Sequence, residues 1–133
     1  MWNKFDNEAI KHICKNCGSK SVKQTYSYFR RMLYNSPATF WCEILDDCAF
    51  YVANKGKNHV RLVAIAVRED MQGIGVGKKV VFRLLERLSG AGLSTLTFRT
   101  SIDEDAQYFW LKMGAKIMDV KGSDYEMQIK IVK

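Results

Sequence analysis

The sequence predicts a mixed α/β (α+β) fold, one sheet flanked by helices, and two observations carry that prediction. Helical and extended hydrophobic periods alternate along the chain. At its centre a nearly unbroken apolar run, Val60 to Val67, leads into a glycine-rich turn and then a helix. A length of 133 residues suits one domain, residues 1–133, built on a single core. No repeat, linker or low-complexity tract divides it. Hydrophobic residues at 47% and charged residues at 26% are the proportions of a globular chain, not a disordered one.

Trp2 to Phe5 reads as a short first strand. Asn7 to Cys17 follows as a helix, with Asp6 or Asn7 as N-cap, Ile10, Ile13, Cys14 and Cys17 on its apolar face, and Gly18 as its stop. A second helix is expected from Val22 to about Tyr34. Ser21 opens it with Gln24 three residues on; Val22, Tyr26, Phe29 and Leu33 share a face; Asn35, Ser36 and Pro37 end it. From Thr39 the period shortens. Phe40 to Leu45, a tight turn at Asp46 and Asp47, and Cys48 to Ala53 form a hairpin, and Asn54 to Asn58 turn the chain again. Val60 to Val67 is then a central strand covered on both faces.

Val80, Val81, Leu84, Leu85 and Leu88 mark the inner side of a helix from about Gly75 to Leu88, closed by Gly90. Leu93 to Thr100 is a strand. Ser101 and Glu104 make a capping box before a helix with Ala106, Phe109, Trp110 and Met113 inward and Gly114 as its stop. Lys116 to Val120, a turn at Gly122 and Ser123, and Tyr125 to Val132 complete the sheet, with Tyr125, Met127, Ile129 and Ile131 alternating inward.

No segment approaches the roughly 20 apolar residues that span a bilayer, and residues 1–6 lack the apolar core of a signal peptide. A cytoplasmic protein with no membrane partner is expected. The net charge of +7 favours an anionic partner: nucleic acid, an anionic membrane surface or a phosphorylated cofactor. The first 31 residues hold Lys4, Lys11, Lys15, Lys20, Lys23, Arg30 and Arg31 against Asp6 and Glu8, although solvated helix faces carry lysines anyway. Cys14 and Cys17 have the spacing of half a zinc site. A zinc ribbon needs a second tight knuckle, and Cys42 and Cys48 are too widely spaced to supply one. Buried free thiols and no metal are therefore expected.

The chemistry concentrates between Ile65 and Lys79. Glycines at 73, 75 and 77 let backbone N–H groups converge at the mouth of a helix, where the macrodipole adds partial positive charge, so this is an anion site. A Walker A loop is excluded, because four residues separate its first glycine from Gly-Lys and Ser or Thr follows; here three residues separate Gly73 from Gly77, and Lys79 follows Lys78. A dinucleotide fingerprint fits poorly, since the glycines are evenly spaced and no acidic residue ends a following strand.

Gln72, Gly75 and Gly77 instead resemble the pyrophosphate loop of the GCN5-related N-acetyltransferase (GNAT) superfamily, Q/R-x-x-G-x-G/A, which follows a hydrophobic strand as Ala66 and Val67 precede it here. The order of elements is similar along the whole chain. Ala106, Phe109, Lys112 and Gly114 match the family's later motif, N-x-x-A-x-x-F-Y-x-K-x-G-F, while Asp103 replaces Asn, Trp110 replaces Tyr and Ala115 replaces Phe. On periodicity alone those residues are the core of a helix.

The resemblance implies an acyl-CoA fold with a mostly antiparallel sheet, acetyl-CoA as co-substrate, and transfer of the acetyl group to a primary amine by direct attack. By the same resemblance Gln72, Gly73, Ile74, Gly75, Val76, Gly77 and Lys78 offer donors to the pyrophosphate, and Lys78, Lys79 or Arg83 meets the outer phosphate. Ile65, Ala66 and Val67 pair with the pantetheine arm, the Val67 N–H polarises the thioester carbonyl, and Asp103 belongs to the cofactor site. The reaction needs a base for the amine and an acid for the thiolate. The family's usual Glu positions fall on Arg61 and Phe98, and its phenol on Trp110. Glu43, Asp46 and Glu69, the phenols Tyr26, Tyr108 and Tyr125, and the isolated His12 and His59 give no catalytic assignment. The acceptor, whether peptide N-terminus, lysine, polyamine, aminoacyl-tRNA or nucleobase, is not specified. The alternative is a non-catalytic acyl-CoA-binding protein whose basic N-terminal third contacts nucleic acid.

Overall fold

The computed structural model describes residues 2–4, 6–17, 31, 39–102 and 106–131. The expected second helix, the stop at Gly18, Phe5 and the capping Glu104 lie outside them. The described elements are β1 (Trp2–Asn3), α1 (Asn7–Lys15), β2 (Phe40–Leu45), β3 (Ala49–Lys55), β4 (Val60–Val67), a 3-10 turn (Glu69–Met71), α2 (Val76–Gly90), β5 (Thr95–Ser101), α3 (Ala106–Lys112), β6 (Lys116–Lys121) and β7 (Asp124–Lys130). The strands form one seven-stranded sheet in the order β1-β2-β3-β4-β5-β7-β6. β4 and β5 run parallel and the other pairs antiparallel.

Each face of the sheet carries its own core. α1 starts where the Asp6 carboxylate accepts the N–H groups of Glu8 and Ala9 at 3.0 and 3.3 Å. Its apolar face, Ile10, Ile13, Cys14 and Cys17, is buried against Ile44, Phe50, Val52 and Ala66. α2 covers the opposite face, setting Val76, Val80, Val81, Leu84 and Leu88 on Tyr51, Leu62, Leu96 and Phe98. β4, fourth of seven, is covered on both sides as its continuous apolar sequence requires.

Three local features refine the expected boundaries. The β2–β3 turn has positive φ at both Asp46 (46°) and Asp47 (57°), the geometry that matches strand twist in a tight hairpin. α2 runs to Gly90, and Gly92 (φ 79°), not Gly90, takes the left-handed position that ends it. There the Leu93 N–H closes on the Leu88 carbonyl at 3.1 Å, which removes Leu93 from the sheet and starts β5 at Thr95. Ala106, expected inward, is exposed, because Trp110 is the buried residue of the short α3.

The sheet register creates one irregularity and one opening. Pairing steps from Val52↔Ala64 to Ala53↔Leu62, which leaves Val63 as an extra residue in β4. This bulge turns Ile65 and Val67 toward the α2 core together with Leu62, and Val63 and Ala66 toward α1. β4 and β5 pair only at Val60↔Leu96 and Arg61↔Thr97. Beyond that rung they diverge as a V.

Candidate functional site

The V leaves one edge of β4 without a strand partner. Just past the strand, the Arg68 N–H bonds the Cys48 carbonyl at 2.6 Å, on the β3 side. Successive N–H groups of an extended chain point to opposite sides. Ile65 and Val67 therefore aim their N–H groups at the open edge.

At the top of this edge the chain makes its 3-10 turn and passes through Gly73 (φ 81°) and Gly75 (φ 88°), conformations that favour glycine because no Cβ is present to clash. The first helical bond of α2 runs from the Lys79 N–H to the Gly75 carbonyl at 3.2 Å. Helix geometry thus leaves the N–H groups of Val76, Gly77 and Lys78 without intrahelical acceptors, and Gly75 brings no capping side chain. The first turn holds no acid but carries Lys78 and Lys79, charges that the positive end of a helix dipole disfavours. An anion at this end stabilises the dipole and the lysines together.

Gln72 secures the loop. Its Nε2 donates to the Val67 carbonyl (2.9 Å) and the Cys17 carbonyl (3.0 Å), while the Glu69 N–H donates to the Asn16 carbonyl (2.7 Å). The turn is so fastened to the ends of both β4 and α1.

Between loop, β4 and α3 lies a cleft of about 630 Å³. Its walls are Ile65 and Val67; Gln72, Gly73 and Gly75; Gly77 and Lys78; and, from α3, Ala106, Phe109, Trp110, Lys112 and Met113. α3 stands close to the bare Gly77 backbone: a Cβ there would lie 3.6 Å from the Phe109 ring. Trp110 is 4% exposed, its ring 4.1 Å from that of Phe98 and 5.0 Å, edge-on, from Phe109.

Of the residues expected from the sequence, Ile65, Val67, Gln72, Gly73, Gly75, Gly77 and Lys78 line the cleft. Ala66 turns to the α1 core, Val76 is buried beneath α2, and Ile74 is 67% exposed on the loop. Asp103 and Tyr26 lie outside the described residues. A helical apolar period reads equally as core; the spacing of the second motif, with Trp110 at the family's phenol position, was the signal that α3 walls the cleft. Arg83, expected near the outer phosphate, is committed elsewhere: its Nε and Nη2 hold the Glu43 carboxylate at 3.1 and 2.9 Å. Glu43 also accepts the Tyr51 hydroxyl and lies 3.7 Å from Arg87, so it is tied beneath α2 and does not reach the cleft. Burial and the Glu43 hydrogen bond push the Tyr51 phenol well above its ordinary range. Glu69 sits with His12, Asn16, Arg68 and Asp70 around a separate polar hollow of about 390 Å³.

Among the described residues, the cleft lining holds no carboxylate, imidazole or phenol; its ionisable groups are the cations Lys78 and Lys112. No group of three or more His, Cys, Asp or Glu side chains is placed to hold a metal, and no helix is long and apolar enough to cross a membrane, again among the described residues.

The sequence model of the Acetyltransferase (GNAT) family matches residues 8–115. A sequence search of curated proteins finds no match. Several solved structures share the fold. A putative GNAT-family acetyltransferase from Desulfovibrio desulfuricans superposes with a TM-score of 0.84 at 12% identity, covering 99% of each chain. Ard1 from Thermoplasma volcanium gives 0.81 at 18% identity, over 100% of this chain and 98% of that one. The PaiA N-acetyltransferase from Thermoplasma acidophilum, solved in complex with coenzyme A, gives 0.80 at 15% identity over 98% of each chain.

Proposed function

This chain belongs to the acetyltransferase (GNAT) family, and we propose that it is an acetyl-CoA-dependent N-acetyltransferase, residues 1–133 forming one such domain, that acetylates a primary amine. The observation that carries the reading is the meeting of an unpaired β4 edge with the uncapped start of α2 in a single cleft. Acetyl-CoA, when bound, supplies an activated acetyl thioester.

The residues present fit such a molecule. Val76, Gly77 and Lys78 have free N–H groups for a pyrophosphate, and Gly77 offers bare backbone at close approach. Lys78 and Lys112, on the two helices that wall the cleft, add the positive charge that phosphates require. Ile65 and Val67 present N–H groups on the open edge, able to pair with an amide-bearing arm and to polarise a thioester carbonyl. Phe109, Trp110 and Met113 exclude water from the wall opposite. Gln72 holds the loop in its binding shape through the chain's own carbonyls. Trp110 has no O–H, so it shapes the cleft and moves no proton. This reading places the protein in the cytoplasm, where the buried Cys14 and Cys48 would stay reduced.

Calorimetric titration with CoA, followed by a mass-spectrometric screen of acceptor amines with acetyl-CoA, tests the proposal. Saturable binding weakened for dephospho-CoA, with an acetylated product, is expected; no binding at millimolar CoA overturns it. A second reading, a non-catalytic acyl-CoA-binding protein, is favoured by the cations Lys78 and Lys112 being the ionisable groups of the cleft lining among the described residues. Tight CoA binding with neither transfer nor hydrolysis would select that one.

A further inference from the structure

α2 presents two different faces from its first turn onward. Val76, Val80, Val81, Leu84 and Leu88 are buried on the sheet, while Lys78, Lys79 and Phe82 are exposed on the side away from it. A phenylalanine on that outer side adds little to the core, and Phe82 keeps 48% of its surface in water. Helix spacing sets its place. Four residues after Lys78, it stands on the same stripe one turn further from the uncapped start of the helix.

Lys78 joins this ring to the cleft. Its side chain belongs to the cleft lining, and its ammonium lies 5.6 Å from the centroid of the Phe82 ring. Cation–π contacts reach to about 6 Å, so this one is close to its limit, and at an exposed site it is weak. A phosphate at the helix start attracts the ammonium more strongly and leaves the face of the ring to another partner. Ile74, 67% exposed between the cleft-lining Gly73 and Gly75, adds a second apolar side chain on the loop.

We infer that Phe82 is the platform for the adenine of CoA: the base stacks on the ring while Lys78 turns to the phosphates. The inference rests on the reading of the cleft as a CoA site. The pantetheine arm then follows the β4 edge on the sheet side of α2, and the pyrophosphate sits on the N–H groups of Val76, Gly77 and Lys78. The nucleoside therefore leaves on the side away from the sheet, where Phe82 is the aromatic side chain that α2 offers. Arg83 is held by Glu43, and Glu86, a further turn along the same side, is acidic and unsuited to a phosphate. An aromatic face takes a purine through its π surface, so the base needs no hydrogen bonds of its own there.

Calorimetry with CoA and with its two halves tests this. Phe82→Ala should weaken CoA and adenosine 3′,5′-bisphosphate about tenfold, toward the low end of base–aromatic stacking, and leave 4′-phosphopantetheine within about twofold. Phe82→Trp should bind CoA at least as tightly as the unmodified chain, whereas Phe82→Leu, apolar but without a π face, should resemble Phe82→Ala. A fluorescent 1,N6-ethenoadenine CoA gives a reading independent of affinity: its bound base should be quenched by the indole in Phe82→Trp and not in Phe82→Ala. Unchanged CoA affinity in Phe82→Ala overturns the inference. An equal loss for 4′-phosphopantetheine also overturns it, since the effect would then lie at the helix start. Failure of the unmodified chain to bind CoA would instead remove the reading of the cleft on which the inference stands.

Discussion

At Gly75 and Gly77 the same residue type serves two different needs. Gly75 has φ 88°, so Gly75→Ala should lower stability by about 1–2 kcal/mol through backbone strain alone. Gly77 lies within α2 and a methyl group there would make only ordinary contact with Phe109. Gly77→Ala should leave the melting temperature unchanged or slightly raised, yet weaken CoA, because the methyl group stands where the phosphates meet the backbone. Normal CoA affinity in Gly77→Ala would show that no close approach occurs. Trp110→Ala should cost about 3–5 kcal/mol as a cavity beside Phe98, whereas Trp110→Phe should keep turnover within about tenfold once an acceptor is known. A loss of 10²–10⁴-fold in Trp110→Phe, with folding and CoA affinity intact, would mean that the indole takes part in the chemistry. Burial first, then neighbouring groups, push Cys14 and Cys42 from the ordinary 9.0 up to about 12. Unfolded thiols ionise first, so this contribution to stability is complete below pH 9 and is lost as the pH rises toward about 12. Urea titrations at pH 8 and pH 10.5 should show the decline, and Cys14→Ala with Cys42→Ala should flatten it.

Among the elements, α2 joins anion binding to the core. Its start presents free N–H groups to the cleft, and about two and three turns further on Arg83 and Arg87 fasten it to β2 and β3 through Glu43, Tyr51 and Trp41. Both arginines keep two-fifths of their side chains in water, at 40% and 39% exposed, so the ion pairs are worth less than fully buried ones. Glu43→Ala is therefore expected to cost about 1–2 kcal/mol, read from chemical denaturation, with Glu43→Gln intermediate. An unchanged midpoint for Glu43→Ala would show that apolar packing alone holds α2 on the sheet. The elements themselves were readable in the sequence because their signals are local: Asp6 as a cap, five apolar positions along α2, alternation in β7. Periodicity showed α3 as a helix but not as a wall, since it reports that a face is apolar and not what it faces; the second motif's resemblance, through Trp110, pointed to the cleft.

For the whole molecule, the cleft depends on strands that meet at two rungs and then part, and on helices held to either side of that opening. A ligand filling the cleft bridges loop, β4 and α3, and linkage requires it to stabilise the folded state. CoA at about 100 times its Kd should contribute about 2.7 kcal/mol and raise Tm by roughly 10 °C for a domain of this size. Desulfo-CoA should retain most of that shift, because the loop and the β4 edge bind its phosphates and amides. A shift equally large with inorganic pyrophosphate would confine binding to the start of α2.

What the sequence determined by itself was the alternation of elements, the central apolar strand and an anion-binding turn at Gln72, Gly75 and Gly77. Each rests on short-range physics: side-chain period, glycine conformation and unsatisfied helix termini act within a few residues. Only the tertiary structure decided that Val63 bulges, that β4 and β5 part beyond Arg61, that Gln72 grips the ends of α1 and β4, and that Arg83 belongs to Glu43. It likewise brought Glu126 against Arg61, 65 positions apart in the chain. Those outcomes depend on strand register and on how packed elements meet, and a register shifted by one residue would reverse the face of every side chain in the strand.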